Sequence, residues 1–495
     1  MITDTVAQPP SAQRRSTARF LLRVAAGPIA FALVLALPIA ISYQGRIALA
    51  TFICSIAWWM TEPMPWAIAA MLPFLVFPAA GVMDIAATMR LYGQPIFFWI
   101  MGTALMGYAI EKHGLAQRIA LGFLALPAVQ GRTSRLMFAY MTITAVISMF
   151  VSDAATVAMT IPIGMSLVRH VGTLSGTRGD RANFAAFITL GTFYAAVAGG
   201  TATIMGVPHN AISMSVLQQV TGRQIGFFEW MKAGVPVFIA MLVAFYVVLW
   251  WLVPPETRTI PDAARFLRVE RDRIGPMKPN ERRVLTVFAA MVIMFTLPTL
   301  VALALGDRHP LTTVVDRALN IWVVPPAVMF LLFTIRSADD ADSALVTWND
   351  TARHAPWNSM FLVAGAVAMT DALTQFGFVQ LMGGAIKALG VGPTSLPFIA
   401  ASVVGITTNF ISATALYCGV FIPAAVQVGF NPASMAILVA NTAVGVVFPW
   451  AGATSATAFA AGEISLEKMI WIGVLATIIM ITLVAVIHLM IAPVL

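Results

Sequence analysis

Charge is what this sequence has least of. Asp, Glu, Lys and Arg make up only 10% of the 495 residues and 59% are hydrophobic, whereas a soluble domain carries roughly 25% charged residues. A soluble globule of this length needs a charged surface that 29 Lys+Arg and 21 Asp+Glu cannot cover, so that class is excluded. Cysteine is nearly missing as well. Cys54 and Cys418 both lie in apolar stretches, which leaves no disulfide framework, CxxC pair or zinc spacing, and nothing to say about redox compartment. No HExxH, GxSxG or P-loop occurs, and the six histidines are scattered; the chain is not read as an enzyme. The net charge of +8 comes largely from arginine, 24 of the 29 basic residues, spread between apolar runs. That is the pattern of cytoplasmic loops rather than of a phosphate-binding patch, and nucleic acid drops out as a partner.

What the sequence does have is apolar runs of membrane length. Arg14, Arg15, Arg19 and Arg23 precede an apolar run from Gly27 to Ile41; further apolar segments follow at once, so it is read as a first spanning helix with its basic end inside rather than as a signal peptide. Two pairs of runs, 136–151 with 155–168 and 396–411 with 414–428, are each interrupted by a polar knot, VSDAAT and NFISAT. Such breaks persist at membrane depth only where protein or an aqueous cavity covers the free backbone groups. The pairs are therefore expected to be re-entrant hairpins, over 135–170 and 395–428, within an all-α polytopic membrane protein of about eleven transmembrane helices. The basic residues then fall on one side: the N-terminal arginines, Lys112/Arg118/Arg132/Arg135, Arg169/Arg178/Arg181, and the stretch Pro254–Arg283 with its seven Arg. The expected organisation is a cytoplasmic segment 1–26, a first transmembrane half 27–253, a cytoplasmic linker 254–283 lying on the membrane surface, and a second half 284–495.

The two halves repeat at an offset of about 260 residues. G-TALMGYAIEKH-G-LAQ, from Gly102 to Gln117, recurs as G-AVAMTDALTQF-G-FVQ, from Gly365 to Gln380. Each copy is followed by a hydroxyl-bearing tip (Ser152, Ser412), a Gly/Thr-rich break (Gly199–Asn210, Gly452–Thr457) and a Glu-x-Met turn (Glu229–Met231, Glu467–Met469). Five spans plus a hairpin is an odd number of crossings, so the repeats must be inverted, the build of secondary transporters with substrate held between broken helices. Helix N-termini at the breaks favour an anion and exposed carbonyls favour a small cation. Ser148, Ser152, Asp153, Thr156, Thr408, Ser412 and Thr414 supply oxygens there. Asp153 stands out, because a carboxylate at membrane depth costs at least ~2.5 kcal/mol and is functional by default. Alone it would repel an anion, so it must be protonated, paired or bound to sodium. His209 is its candidate partner, and the two form a candidate proton-coupling pair. Glu62, Glu111 and Asp371 are read as structural.

In order and local wording, from WWMTEPMPWAIAAMLPFLVFPAAGV through YGQPIFFWIMG to EISLEKMIWIGV, the chain resembles the divalent anion/sodium symporter family. The resemblance implies the ion-transporter superfamily fold, elevator-type movement, a homodimer, an inner-membrane location with the N-terminus cytoplasmic, and no cofactor beyond Na+ as coupling ion. It places substrate-binding positions at Ser152, Asp153, His209, Asn210, Ser412, Thr414, Thr454 and Ser455, to which Thr156 is added as one of the oxygens at the first break, and sodium positions at Ser148, Ser152, Asp153, Gly199, Thr408 and Ser412. The family's Ser-Asn-Thr tips become Ser152-Asp153-Ala154 and Ser412-Ala413-Thr414 here, so both tip amides are lost and altered coupling is expected: one sodium, a proton, or anion exchange. The leading function is secondary active transport of small organic anions, di- or tricarboxylates. Sulfate carriage, Na+/H+ antiport and a non-transporting membrane scaffold are the alternatives.

Overall fold

The computed structural model describes residues 10–495 except 130–131, 176–181, 261, 307, 341 and 411–413. Among the described residues the chain is all-α, with a single isolated bridge, Arg336 to Ala344, in place of any strand. Among the described residues, five helices are long and apolar enough to cross a membrane. They differ sharply in setting. All of the Ala182–Ala202 span is buried by protein, whereas 17% of the Pro279–Leu305 span is, so the former is the core of its half and the latter faces lipid. Exposed Leu303, Phe330 and Trp471 mark the same apolar perimeter, which in a membrane protein meets acyl chains rather than water.

Contacts divide the chain into two compact units that cut across the two sequence halves. The smaller joins the residues up to Gln94 to Trp357–Ala385. In it, Trp58 Nε1 donates to the Val24 carbonyl (2.9 Å) and Ser42 caps Tyr43–Thr61 by accepting from Gly45 N (3.1 Å). Glu62 ends that helix in a left-handed conformation (φ 49°), its backbone N–H donating to the Trp58 carbonyl. The larger unit takes Pro95–Pro356 and Ile386–Leu495 and holds both hairpins and both breaks.

The internal repeat is visible in what its glycines do. Gly102, in helix Pro95–Lys112, lies so close to Pro325 that a Cβ would sit 2.4 Å from that carbonyl oxygen; Gly365, in Trp357–Gln375, would meet the Ala70 oxygen at 2.1 Å. The second glycines of the motif, Gly114 (φ 76°) and Gly377 (φ 90°), turn the chain just after each helix in the region that only glycine adopts without strain. Gly234 and Gly473, in Phe227–Leu252 and Leu466–Ile491, each bring the last helix of a half so close to the chain at or beside its break that a Cβ would lie 2.5 Å from the Thr201 carbonyl oxygen and 2.6 Å from that of Val446. Small residues at helix crossings are how membrane helices approach closely.

The linker differs from the expected span. An amphipathic helix, Ala263–Ile274, buries Leu267 and stacks Phe266 on His170 (4.4 Å), but the next helix starts at Pro279, inside the stretch read as linker. Proline at the first helical turn and Glu281, whose carboxylate accepts from Lys278 N (2.9 Å), explain that start. Glu281 also pairs with Arg118 (2.6 Å), which donates to the carbonyls of Gly275 (2.8 Å) and Pro276 (3.0 Å). Polar contacts also tie segment ends together: Lys112 with Asp350, Arg118 with Glu281 and Glu256 with the Asn183 amide, and Arg223 with Leu495, Asn431 with Ala492 and Asn320 with Gln224.

Candidate functional site

Helix Thr133–Ser148 ends at the first knot, the chain turns through Met149–Ser152, and helix Asp153–Ser175 begins at the carboxylate itself. A carboxylate fits there because the first turn of a helix has unpaired N–H groups and the positive end of its dipole. Ser148 Oγ donates to Asp153 Oδ1 (2.8 Å), and both side chains are buried, Asp153 to 3% exposure. Oδ2 takes no hydrogen bond among the described residues, which leaves it open to a proton or a cation. Ser152 is exposed at the tip, while Thr156 is buried and donates to the Val151 carbonyl (3.3 Å), closing its own turn.

Opposite the tip, helix Ala182–Ala202 stops, the chain unwinds over 203–207, and helix Pro208–Thr221 resumes with proline in its first turn. The break is where the sequence placed it. Three contacts bind it to the tip. Thr203 Oγ1 donates to the Met149 carbonyl. Gly199 lies against Ala145, whose carbonyl oxygen would be 2.1 Å from a Cβ, and Gly200 lies against Asp153, whose Oδ1 would be 2.4 Å from one. Asn210 spans the break, donating from Nδ2 to the carbonyls of Gly200 and Thr203 (2.8 Å each). Its Oδ1 is fully buried and has no partner among the described residues, an arrangement that awaits a donor or a cation.

The His209–Asp153 pairing open from the sequence is not formed. His209, half-buried, shares its Nδ1 with Thr414 Oγ1 (3.0 Å), at the start of helix Thr414–Val428 in the second hairpin. The physical reason is that Asp153 faces Gly200 on the tip side of the break, whereas His209 sits beyond the break at the head of the next helix. The first break and the second hairpin therefore meet, and substrate-binding candidates from both halves come together.

In the second half, Thr408 is buried and donates to its own i−4 carbonyl, Val404 (2.7 Å). Ser412 lies outside the described residues. The second break is displaced from its expected position: helix Pro432–Thr442 unwinds over 443–448 and passes through a 3₁₀ turn, Pro449–Ala451, before helix Ala453–Ala460. Thr454 and Ser455 thus belong to the first turn of a helix instead of to the break. Ser455 Oγ accepts from Gly452 N (3.1 Å) and bonds the Pro449 carbonyl (3.1 Å), a local cap that holds the turn. Asn409, which the sequence reading passed over, ties hairpin to break here. Its Oδ1 accepts from Val446 N (2.9 Å) and Val447 N (2.8 Å), and its Nδ2 donates to the Gly405 carbonyl (2.8 Å). The signal was present, since a second polar residue directly after Thr408 in an apolar run needs a partner.

The site therefore combines an oxygen-rich first half, a histidine joining the two halves, and three helix N-termini, at Asp153, Pro208 and Thr414. No arginine lies among these residues, so an anion there would be held by N–H dipoles, hydroxyls and a co-bound cation.

Comparison with known proteins agrees with this architecture. Over 492 residues the chain is 27% identical to the sodium-dependent dicarboxylate transporter SdcS of Staphylococcus saprophyticus, covering 95% of this chain and 91% of that one. The transporter of the same name from Staphylococcus aureus is 26% identical over 482 residues, 94% of this chain and 90% of that one. The crystal structure of the YdaH transporter of Alcanivorax borkumensis superposes with a TM-score of 0.51 at 14% identity, over 85% of this chain and 88% of that one, which shows a shared fold. Residues 14–495 match the family described as the sodium:sulfate symporter transmembrane region, so this integral membrane protein belongs to that transporter family.

Proposed function

We propose that this chain is a secondary active carrier of small organic anions, di- and tricarboxylates, driven by sodium. The observation that carries the reading is the His209–Thr414 contact (3.0 Å), which brings the first break against the second hairpin. There the N-termini of Pro208–Thr221 and Thr414–Val428 converge, and a carboxylate between them would meet two dipole ends and the one N–H or O–H that the His209–Thr414 bond leaves free. The buried Asp153 carboxylate cannot stand as an unpaired charge beside a dianion. A sodium ion held by Asp153 and the unpaired Asn210 Oδ1 would neutralise it, so anion and cation would bind as a set. The sodium-dependent dicarboxylate transporters to which the chain is similar support this substrate class. The same reading gives it an inner-membrane location with the N-terminus cytoplasmic, a homodimeric assembly and elevator-type movement. Sulfate is the second reading, favoured by the description of the matching family.

Binding tests it first. Succinate or citrate should raise the apparent Tm of the purified protein in sodium more than in potassium, and Thr414→Val should remove most of that shift. If no dicarboxylate, tricarboxylate or sulfate changes the Tm in either salt, the reading fails.

A further inference from the structure

The two hairpins face their breaks with opposite chemistry. In the first half the buried junction is rich in free acceptors, since among the described residues Asp153 Oδ2 takes no hydrogen bond and Asn210 Oδ1 is buried without a partner. Oxygen atoms without donors are what a sodium ion requires. The second half reverses this. One residue after Thr408, as Met149 stands one residue after Ser148, comes Asn409, buried to 2% exposure. Its carbonyl oxygen is saturated by two backbone donors, Val446 N and Val447 N, while its NH₂ group donates to Gly405. The second break thus turns N–H groups toward the hairpin, the wrong polarity for a cation. Thr408 directs its proton to Val404, and Gly445 brings the break close enough that a Cβ there would lie 3.1 Å from the Thr408 carbonyl oxygen.

We propose that Asn409 is a positioning residue that fastens the second hairpin to the second break in place of a cation, so that this half holds no sodium and the chain binds no more than one. The amide suits this role because it has both an acceptor and a donor end and reaches backbone on both sides. The inference rests on the sodium-coupled reading above for what the first half binds, but not for what Asn409 does. In the first half, by contrast, the hairpin and break meet through Thr203 and through a carboxylate whose charge calls for a counter-ion.

Radioactive sodium binding to the purified full-length protein tests it without requiring transport. The expected result is at most one ion per chain, with affinity unchanged within about twofold by Thr408→Val and reduced tenfold or more by Asp153→Ala. Asn409→Ala should lower the apparent Tm by the same amount in sodium and in choline, because no ion can replace the lost strut. Two ions bound per chain, a tenfold weakening by Thr408→Val, or rescue of Asn409→Ala by sodium would each overturn the proposal. If Asn409→Ala does not fold, the stoichiometry and the Thr408→Val affinity decide it. No sodium bound at all, with Asn409→Ala equally destabilised in both salts, would sink sodium coupling and still support the strut.

Discussion

Gly200→Ala should abolish coupling at the first tip while leaving the fold standing. The added Cβ would lie 2.4 Å from Asp153 Oδ1 and 3.0 Å from both its Cγ and Oδ2. Gly200 lies inside helix Ala182–Ala202, whose backbone is enclosed on all sides and cannot retreat. The carboxylate must move instead, and it can do so only by giving up the 2.8 Å hydrogen bond from Ser148. Overpacking costs about 1–3 kcal/mol, and losing a hydrogen bond to a charged group about 1.5–3 kcal/mol. Even the lower sum corresponds to a tenfold or greater loss in whatever binds the displaced carboxylate. Two other glycines frame the result. Gly199→Ala would drive its Cβ to 2.1 Å from the Ala145 carbonyl oxygen, a backbone atom that cannot rotate away, and should impair folding itself. Gly122→Ala, in the interior of Leu115–Leu124 with no atom within 4 Å of the new Cβ, should be neutral or stabilising by up to about 1 kcal/mol. The assay is sodium-dependent anion uptake in proteoliposomes alongside size-exclusion profiles and thermal unfolding in detergent. Wild-type sodium dependence in a well-folded Gly200→Ala protein would refute the contact between Asp153 and the broken helix.

Two further outcomes follow from groups away from the first tip. Burial raises the Asp350 carboxyl, but hydrogen bonds from Lys112 (2.8 Å), the Thr347 amide and hydroxyl (2.8 Å each) and Tyr108 (3.0 Å) outweigh it and hold the group below the usual carboxylate range. A depressed folded value stabilises the protein above the unfolded value near 3.9 and loses that stability as pH falls through the folded one. Asp350→Asn should therefore cost about 1–2 kcal/mol at neutral pH, with the Tm gap to wild type narrowing as the pH drops below about 4; a gap independent of pH would reject the ion pair as its source. Ser434 Oγ is bonded to Nδ1 (3.0 Å) and the carbonyl (3.3 Å) of the fully buried His488. Ser434→Ala should lower stability by about 1–3 kcal/mol, seen as a drop in apparent Tm, and an unchanged Tm would show that the imidazole finds another partner.

The features legible in the sequence are those set by local chemistry. Gly114 and Gly377, which marked the repeat, take two left-handed turns that few other residues adopt, and the Gly/Thr-rich stretch from Gly199 announced the first break. Asp153 drew attention because a carboxylate is expensive in an apolar run. Partnership was much less legible, since it depends on which halves pack together. The sequence offered Asp153 as the partner for His209, whereas the fold gives it Thr414, 205 positions away. The second break was misplaced because Thr454 and Ser455 look like a polar interruption but lie in the first turn of a helix, while the unwound residues 443–448 are apolar and two of their N–H groups are held by Asn409 of the hairpin. Helical periodicity carries no trace of such a bond.

Labelled succinate uptake into proteoliposomes, driven by an inward sodium gradient and compared with an equal potassium gradient, is the most direct test of the central claim. Accumulation above equilibrium in sodium, lost when the gradient is collapsed and lost in Asp153→Ala, is the predicted result. Absence of succinate, citrate and sulfate flux under sodium, proton and anion-exchange conditions, in protein that reconstitutes folded, would contradict it.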